Sequence, residues 1–592
     1  MRVVVDRLEL DDGTVWSASP SQAALGAHEI DLSVTTGWGD GGGPGGGPGS
    51  AETWSWTVAR SAPGIGAVRA VRLVFRVVDG QGPIRMLRHG YQSWSPSDVA
   101  VFGVDRDPSL VPGSVELIRA INQADQRIVT HADELRSEWV TVLTDDGDQP
   151  IVIGFDGGDR HDGTLRLRTG PTGVELCAEA FLGDAVLASS ERRVLHGVTV
   201  ATGAPVDELL AAWASMVGRR SGARIDAGHQ VGWCSWYHYF HGVTRADIDF
   251  NLALSDDWPF DVLQVDDGFQ SAIGDWLTVS ERFGGDLPSM AAAIATRGRR
   301  PGLWLAPFLA APDSRVATEH PEWLARDPNG EPLLNMFNPP WEGGRDGFMY
   351  GLDTTRDDVR EHLRSLGATL VDMGFTYLKL DFTFSPSFDG VWSDASCTPA
   401  QRVRAGFDAI RAGVGDDVFL LGCGVPLSNS VGAVDANRIG ADVAPAWSLG
   451  PVEPFLAGYA GTQPATRHAW SATAIRSFLH RRVWVNDPDC VMLRTRETEL
   501  TPEAARTWAR AVGVSGGMVI VSDDLALLDG EARSVLDEAI ALSRVADDAA
   551  RAGDVAACPD LLDGPEPHRL RSVAGDLVVE LVDGASTFRP AG

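Results

Sequence analysis

A chain of 592 residues with 44% hydrophobic content is longer than one core serves, since a single core seldom extends beyond about 300 residues, so several folded domains are expected. A net charge of -31 argues against nucleic acid or an anionic membrane as partner, because such a field repels phosphates, while a neutral small molecule is compatible with it. Six scattered cysteines without a CxxC pair fit neither a disulfide framework nor a zinc site.

Residues 1–205 alternate short β-branched runs, such as 70–78 and 139–143, with turn signals such as Asp11-Asp12-Gly13, Asp79-Gly80 and Asp145-Asp146-Gly147. Many strands and few helices predict a β-sandwich domain. The opening residues lack the apolar core of a signal peptide, and no stretch approaches the roughly 20 apolar residues that span a bilayer, so a cytoplasmic location is expected. Within this region the Gly-Pro run 41–49 is low-complexity and is expected to be a mobile surface loop.

From about residue 226 to 530 the pattern changes to short apolar strands alternating with longer helical stretches. Eight strands are expected at 231–236, 261–266, 301–306, 376–381, 417–423, 437–441, 482–486 and 517–522. Eight strand-helix units over this length predict a (β/α)8 barrel, whose catalytic groups sit at the C-terminal ends of the strands. The tail, 545–592, carries a strand at 577–582 running into Asp583-Gly584, and predicts a small terminal β domain.

Polar residues collect at the ends of the barrel strands. Strand one ends in Trp233-Cys234-Ser235-Trp236-Tyr237, whose aromatic faces suit the apolar face of a sugar. Strand two ends in Asp266-Asp267-Gly268, which reads either as a turn or as two carboxylates that clamp adjacent hydroxyls. Strand three offers Trp304 as a pocket wall. Strand four carries Lys379, the only lysine beside forty-nine arginines, and Asp381, two strand steps or roughly 7 Å further on. The pair is either a site or a spare lysine against a core aspartate. Strand five ends in Gly422-Cys423-Gly424, and strand six runs from Arg438 to Asp442, a salt bridge and turn or a further part of a site. Strand seven ends in Asn486-Asp487-Pro488-Asp489. Carboxylates with aromatics, and no HxH or HExxH signature, are the equipment of a glycosidase with no metal and no cofactor.

These strings, WCSWYHYF at 233–240, QVDDGF at 264–269, GLWLAPF at 302–308, YLKLDF at 377–382, GCG at 422–424, RIGADVAPAW at 438–447 and NDPD at 486–489, resemble the α-galactosidases of glycoside hydrolase family 36, as do HPEWLARDPNGEPL at 320–333 and GYQSW at 90–94. The resemblance implies a multidomain α/β plus β fold: an N-terminal β-supersandwich, a central TIM-type barrel and a small C-terminal antiparallel β domain. It implies Asp381 as nucleophile and Asp442 as acid/base. It further implies Asp266, Asp267, Lys379 and Arg438 as ligands of galactose hydroxyls, and Cys423, Trp236, Tyr237, Trp304 and Trp94 as pocket lining, Trp94 reaching in from the first domain.

The implied reaction is retaining hydrolysis of terminal α-galactose from oligosaccharides such as melibiose or raffinose, with the two carboxyls about 5 to 6 Å apart and Lys379 keeping Asp381 ionised. An α-N-acetylgalactosaminidase, a raffinose-synthase-like galactosyl transferase and a non-catalytic galactoside-binding protein are the alternatives. Oligomeric state is left open.

Overall fold

The computed structural model describes residues 1–591 except 21–23, 39–46, 107–132, 148, 342–346 and 456–460. Most of the Gly-Pro run expected as a mobile loop lies outside the described residues. Up to residue 205 the described elements are strands, arranged as two antiparallel sheets. In the six-stranded sheet, Gly66–Val78 lies between Arg2–Asp11 and Gly173–Leu187. The nine-stranded sheet is centred on Ser50–Arg60, Val198–Thr202 and Ile151–Phe155. Period-two alternation places Val71, Leu73 and Phe75 from the first sheet and Trp56, Val58 and Ile153 from the second in one buried core.

The barrel strands are β1 (Val231–Cys234), β2 (Val262–Val265), β3 (Arg300–Leu305), β4 (Tyr377–Leu380), β5 (Phe419–Gly422), β6 (Ala436–Arg438), β7 (Val485–Asp487) and β8 (Val519–Val521). All seven pairings along the order β7-β6-β5-β4-β3-β2-β1-β8 are parallel. Between β7 and β8 the Met518 N–H donates to the Asn486 carbonyl at 3.0 Å, and the Val491 N–H to the Ile520 carbonyl at 2.7 Å. The ring of strands is thereby nearly closed. Each strand falls within a residue or so of the run that predicted it, but most are shorter. β1 stops at Cys234 because Ser235 turns the chain into the short helix Trp236–Tyr239, and β6 stops at Arg438, short of the expected Ala441.

Alternation along β4 turns Lys379 to the barrel interior, where Tyr377 stacks on Phe419 with ring centroids 5.0 Å apart. Between β3 and β4 the chain makes an excursion that the strand count did not foresee. It forms a three-stranded sheet of Leu309–Ala310, Leu334–Phe337 and Phe348–Gly351. After β8 the helix Gly530–Arg551 begins at Asp529, whose carboxylate accepts the N–H groups of Glu531 and Ala532. The final sheet, Arg569–Ser572, Gly575–Val579 and Ser586–Pro590, is antiparallel and lies against the helix Pro502–Ser515. No helix among the described residues is long and apolar enough to cross a membrane.

Candidate active site

The C-terminal ends of the barrel strands bring together the side chains singled out from the sequence. Strand register does this directly: Trp304 on β3 lies opposite Lys379 on β4, which lies opposite Leu421 on β5. Beyond the strand ends, Asp381 N–H donates to the Leu305 carbonyl at 2.7 Å and Cys423 N–H to the Leu380 carbonyl at 2.8 Å. Asp381 therefore sits between Trp304 and Cys423 at the barrel mouth.

The Asp381 carboxylate accepts the Trp304 indole N–H at 2.9 Å and the Phe382 backbone N–H at 2.8 Å. Phe382 holds φ at 51°, a left-handed conformation that a large side chain rarely takes and that costs on the order of 1–3 kcal/mol. The same turn directs the Phe382 ring against Trp94 and Trp341, with centroids 5.0 Å away in each case.

Lys379 differs from the expectation. Its ammonium pairs with Asp266 at 3.0 Å, at the end of β2, two strands from its own. The same Asp266 oxygen also accepts from the Gln264 amide and, at 3.4 Å, from the Cys234 thiol. Because the cation's nearest partner is Asp266, it offsets only part of the cost of burying Asp381. Burial dominates and raises the Asp381 pKa above the ordinary aspartate value, although Lys379 and the Trp304 hydrogen bond pull it down and the charge of Asp442 pushes it up. Strand geometry puts the two side chains on one face, but it does not say which carboxylate the flexible ammonium will reach.

Asp267 is held apart from Asp266 although the two are sequence neighbours. It accepts from the Trp341 indole at 2.7 Å and from the Gln270 amide at 2.6 Å, and lies 3.0 Å from His241 Nδ1. Gly268, which follows, has φ at 119° and passes so close to the His241 carbonyl that a Cβ would stand 3.0 Å from it. Trp236 packs edge-on against His241, ring centroids 5.0 Å apart, which ties the first strand's aromatic cluster to this carboxylate.

Arg438 is only 2% exposed and serves three carboxylates: Asp442 at 2.9 Å, Asp487 at 3.2 Å and Asp489 at 2.7 Å. Tyr237, expected as pocket lining, donates its hydroxyl to Asp489. Asp442 keeps 32% of its side chain exposed against 3% for Arg438, so it faces the open side of the cluster. The Cys423 thiol is buried in the field of Asp381, Lys379, Arg438 and Asp442, and burial together with both carboxylates raises its pKa far above the ordinary thiol value.

Trp94 arrives from the N-terminal sheets. Ser93 N–H donates to the Val425 carbonyl at 3.3 Å, and Val425 N–H returns a bond to the Ser93 hydroxyl at 3.3 Å. Gly424, at φ 51°, has no Cβ, and one built there would lie 2.8 Å from the Trp94 ring. The strap is also clamped by Arg476, whose buried guanidinium donates to the carbonyls of Ser93, Ser95 and Ile439 at 2.9, 2.9 and 2.7 Å. Burial lowers the pKa of Arg476 to about 9, the carbonyls being its hydrogen-bond partners.

The structure thus gathers Asp266, Asp267, Trp304, Lys379, Asp381, Cys423, Arg438, Asp442, Trp236, Tyr237 and Trp94 around one mouth. Sequence reasoning missed His241, Gln264, Trp341 and the role of Asp489 within the acidic run 486–489. It also missed Arg476. For Asp489 the signal was present, an acidic residue just past a strand end. For Trp341 there was none, since it sits 74 residues from Asp267 in the unforeseen excursion. Among the described residues no group of three or more His, Cys, Asp or Glu side chains is disposed to hold a metal ion.

The chain is similar to known proteins in both sequence and fold. The family model described as Melibiase matches residues 243–384. Alpha-galactosidase AgaA of Geobacillus stearothermophilus is 28% identical over 162 residues, 27% of this chain and 20% of that protein. The A type blood alpha-D-galactosamine galactosaminidase of Flavonifractor plautii is 24% identical over 217 residues, 34% of this chain and 20% of that protein. The matched stretches therefore span about a fifth of these curated relatives. Among solved structures, TtGalA, an alpha-galactosidase from Thermus thermophilus in complex with p-nitrophenyl alpha-D-galactopyranoside, superposes with a TM-score of 0.67 at 27% identity, covering 88% of this chain and 97% of that one. The galactosidase domain of the alpha-galactosidase-sucrose kinase AgaSK shares the fold, with a TM-score of 0.64 at 14% identity over 98% of this chain and 80% of that one.

Proposed function

We propose that this chain, a glycoside hydrolase of the family 36 α-galactosidase group, hydrolyses terminal α-linked galactose from small galactosides by double displacement with retention. The observation that carries this reading is the placing of Asp381 and Asp442 at one barrel mouth, close enough for the charge of Asp442 to act on Asp381. Each stands with different partners. Asp381 is enclosed and oriented by two N–H donors, which suits a nucleophile that must attack one carbon from one direction. Asp442 is the more open carboxyl, which suits a group that gives its proton to the aglycone oxygen and then takes one from the water that enters where the aglycone left.

In the first step Asp381 attacks the anomeric carbon while Asp442 gives its proton to the departing oxygen. In the second, Asp442 takes a proton from water, which attacks the same carbon and frees galactose and Asp381. The charge changes at these two carboxyls occur in a site where burial makes each electrostatic contact count for more than in water.

Recognition of the sugar falls to Asp267, with the Lys379–Asp266 pair beneath it. A galactose hydroxyl donating to Asp267 joins the donors already aimed at that carboxylate, and Lys379 has two further N–H groups to offer a neighbouring hydroxyl. An epimer whose hydroxyl points elsewhere leaves a desolvated acceptor site on Asp267 and N–H groups of Lys379 without a partner, which disfavours it. Trp304, Trp341 and Trp94 supply flat walls against the apolar edge of the ring.

A panel of 4-nitrophenyl glycosides tests this reading. Release of nitrophenol from the α-galactoside, with turnover of the α-N-acetylgalactosaminide and the β-galactoside lower by about a hundredfold or more, is the expected result. Preferred turnover of the N-acetylated substrate would move the assignment to the galactosaminidases, one of which is among the relatives above.

A further inference from the structure

Asp489 does not touch the mouth of the site. Its side chain is fully buried, at 0% exposure, and its backbone is held at φ 91°, a conformation that disfavours any residue but glycine. A carboxylate kept in a strained and dry position needs a reason. Its contacts supply one, because two of its partners, Val443 and Arg438, lead to Asp442. One oxygen accepts the Val443 backbone N–H at 2.9 Å, and Val443 is the residue next to Asp442. The same oxygen takes the Tyr237 hydroxyl. The other oxygen accepts the Cys490 N–H at 2.6 Å and lies 2.7 Å from Nη2 of Arg438, whose Nη1 is 2.9 Å from Asp442.

We propose that Asp489 is a positioning residue for Asp442: it anchors the turn that carries Asp442 and competes with it for the one guanidinium they share. This rests on the assignment of Asp442 as acid/base above. Arg438 cannot neutralise Asp442, Asp487 and Asp489 together, since one positive charge faces three carboxyls. With Asp489 ionised, Arg438 is drawn to it and away from Asp442. With Asp489 neutral, Arg438 is released to Asp442. Burial raises the Asp489 pKa to about 6, with the charges of Asp442 and Asp487 acting in the same sense and Arg438 against them. The groups that face this pair are Arg438, Asp487, Tyr237 and Cys490 around Asp489, and Arg438, Asp381, Tyr237 and Cys423 around Asp442.

The test compares kcat/KM, which reports only steps up to the first bond cleavage, for wild type, D489N and D442A on melibiose and on 4-nitrophenyl α-galactoside across pH. Nitrophenolate leaves with little help from an acid, whereas the glucose of melibiose needs the proton. D489N keeps the shape and removes the charge. The expected result is a loss of about 10- to 100-fold on melibiose and much less on the nitrophenyl substrate. The alkaline limb on melibiose is expected to move about one unit toward lower pH, because both the lost repulsion and the freed Arg438 favour ionised Asp442.

An equal loss on both substrates with an unshifted limb would overturn the proposal and leave Asp489 a packing residue. If D489N does not fold, Tyr237→Phe removes a hydrogen bond that favours ionised Asp489, and a smaller shift of the limb in the same direction is expected; no shift would overturn the proposal equally. D442A separates the two levels of the argument. A large loss confined to melibiose upholds the acid/base assignment whatever Asp489 does, and its absence removes that assignment and this inference with it.

Discussion

Asp381→Ala should lower kcat/KM for an α-galactoside by about ten-thousand-fold or more, since Asp381 is the carboxylate proposed to form the glycosyl-enzyme bond. Asp381 is held between Trp304 Nε1 and Phe382 N, so its neighbours fix the direction of attack, and no second carboxyl shares those donors. Truncation to alanine leaves a hole of carboxyl size in front of the anomeric carbon. Azide can enter it and attack from the face Asp381 used, so partial recovery with β-galactosyl azide as product is expected. Full activity in this variant would remove the nucleophile assignment. The raised Asp381 pKa adds a pH signature in the wild type. The nucleophile must be ionised, so a raised pKa moves the acid limb of kcat/KM to higher pH than an ordinary aspartate would give, and the decline sets in at milder acidity.

Lys379→Arg is expected to lower kcat/KM by about a hundredfold although the charge is kept. The ammonium is 5% exposed and pairs with an Asp266 oxygen that also accepts from Gln264 and Cys234. A planar guanidinium is wider and presents its donors in a fixed fork, so it must displace Gln264 or Cys234 or push Asp266 aside. Because Asp267 N–H donates to Asp266 at 3.0 Å, the displacement reaches the proposed sugar-binding carboxylate. The variant should raise KM as well as lower kcat, and a rate equal to wild type would return this lysine to a structural role.

Much of this was legible in the sequence, for physical reasons that can be named. Buried parallel strands are continuous apolar runs, so the eight barrel strands stood out between helical stretches, and function collects at their C-terminal ends. Asp266, Asp381 and Asp442 were found because each ends or follows such a run. What escaped depends on contacts between distant residues. Arg476 reaches Ser93 across 383 positions, and Trp341 lies in an excursion whose strands are four residues or fewer, too short for periodicity to reveal. The partner of Lys379 was misjudged for a related reason. Alternation fixes the face of a strand, whereas the choice between Asp266 and Asp381 depends on β2, two strands away. Arg438 read as either a salt bridge or a sugar ligand, and its three ion pairs depend on carboxylates that its own strand does not reveal.

The central claim is that Asp381 and Asp442 act on opposite sides of one anomeric carbon in two successive displacements. The most direct measurement is the anomer of galactose first released from 4-nitrophenyl α-galactoside, followed by proton NMR before mutarotation. The account predicts that α-galactose appears first and β-galactose only later. First appearance of β-galactose would mean a single displacement by water and would contradict it.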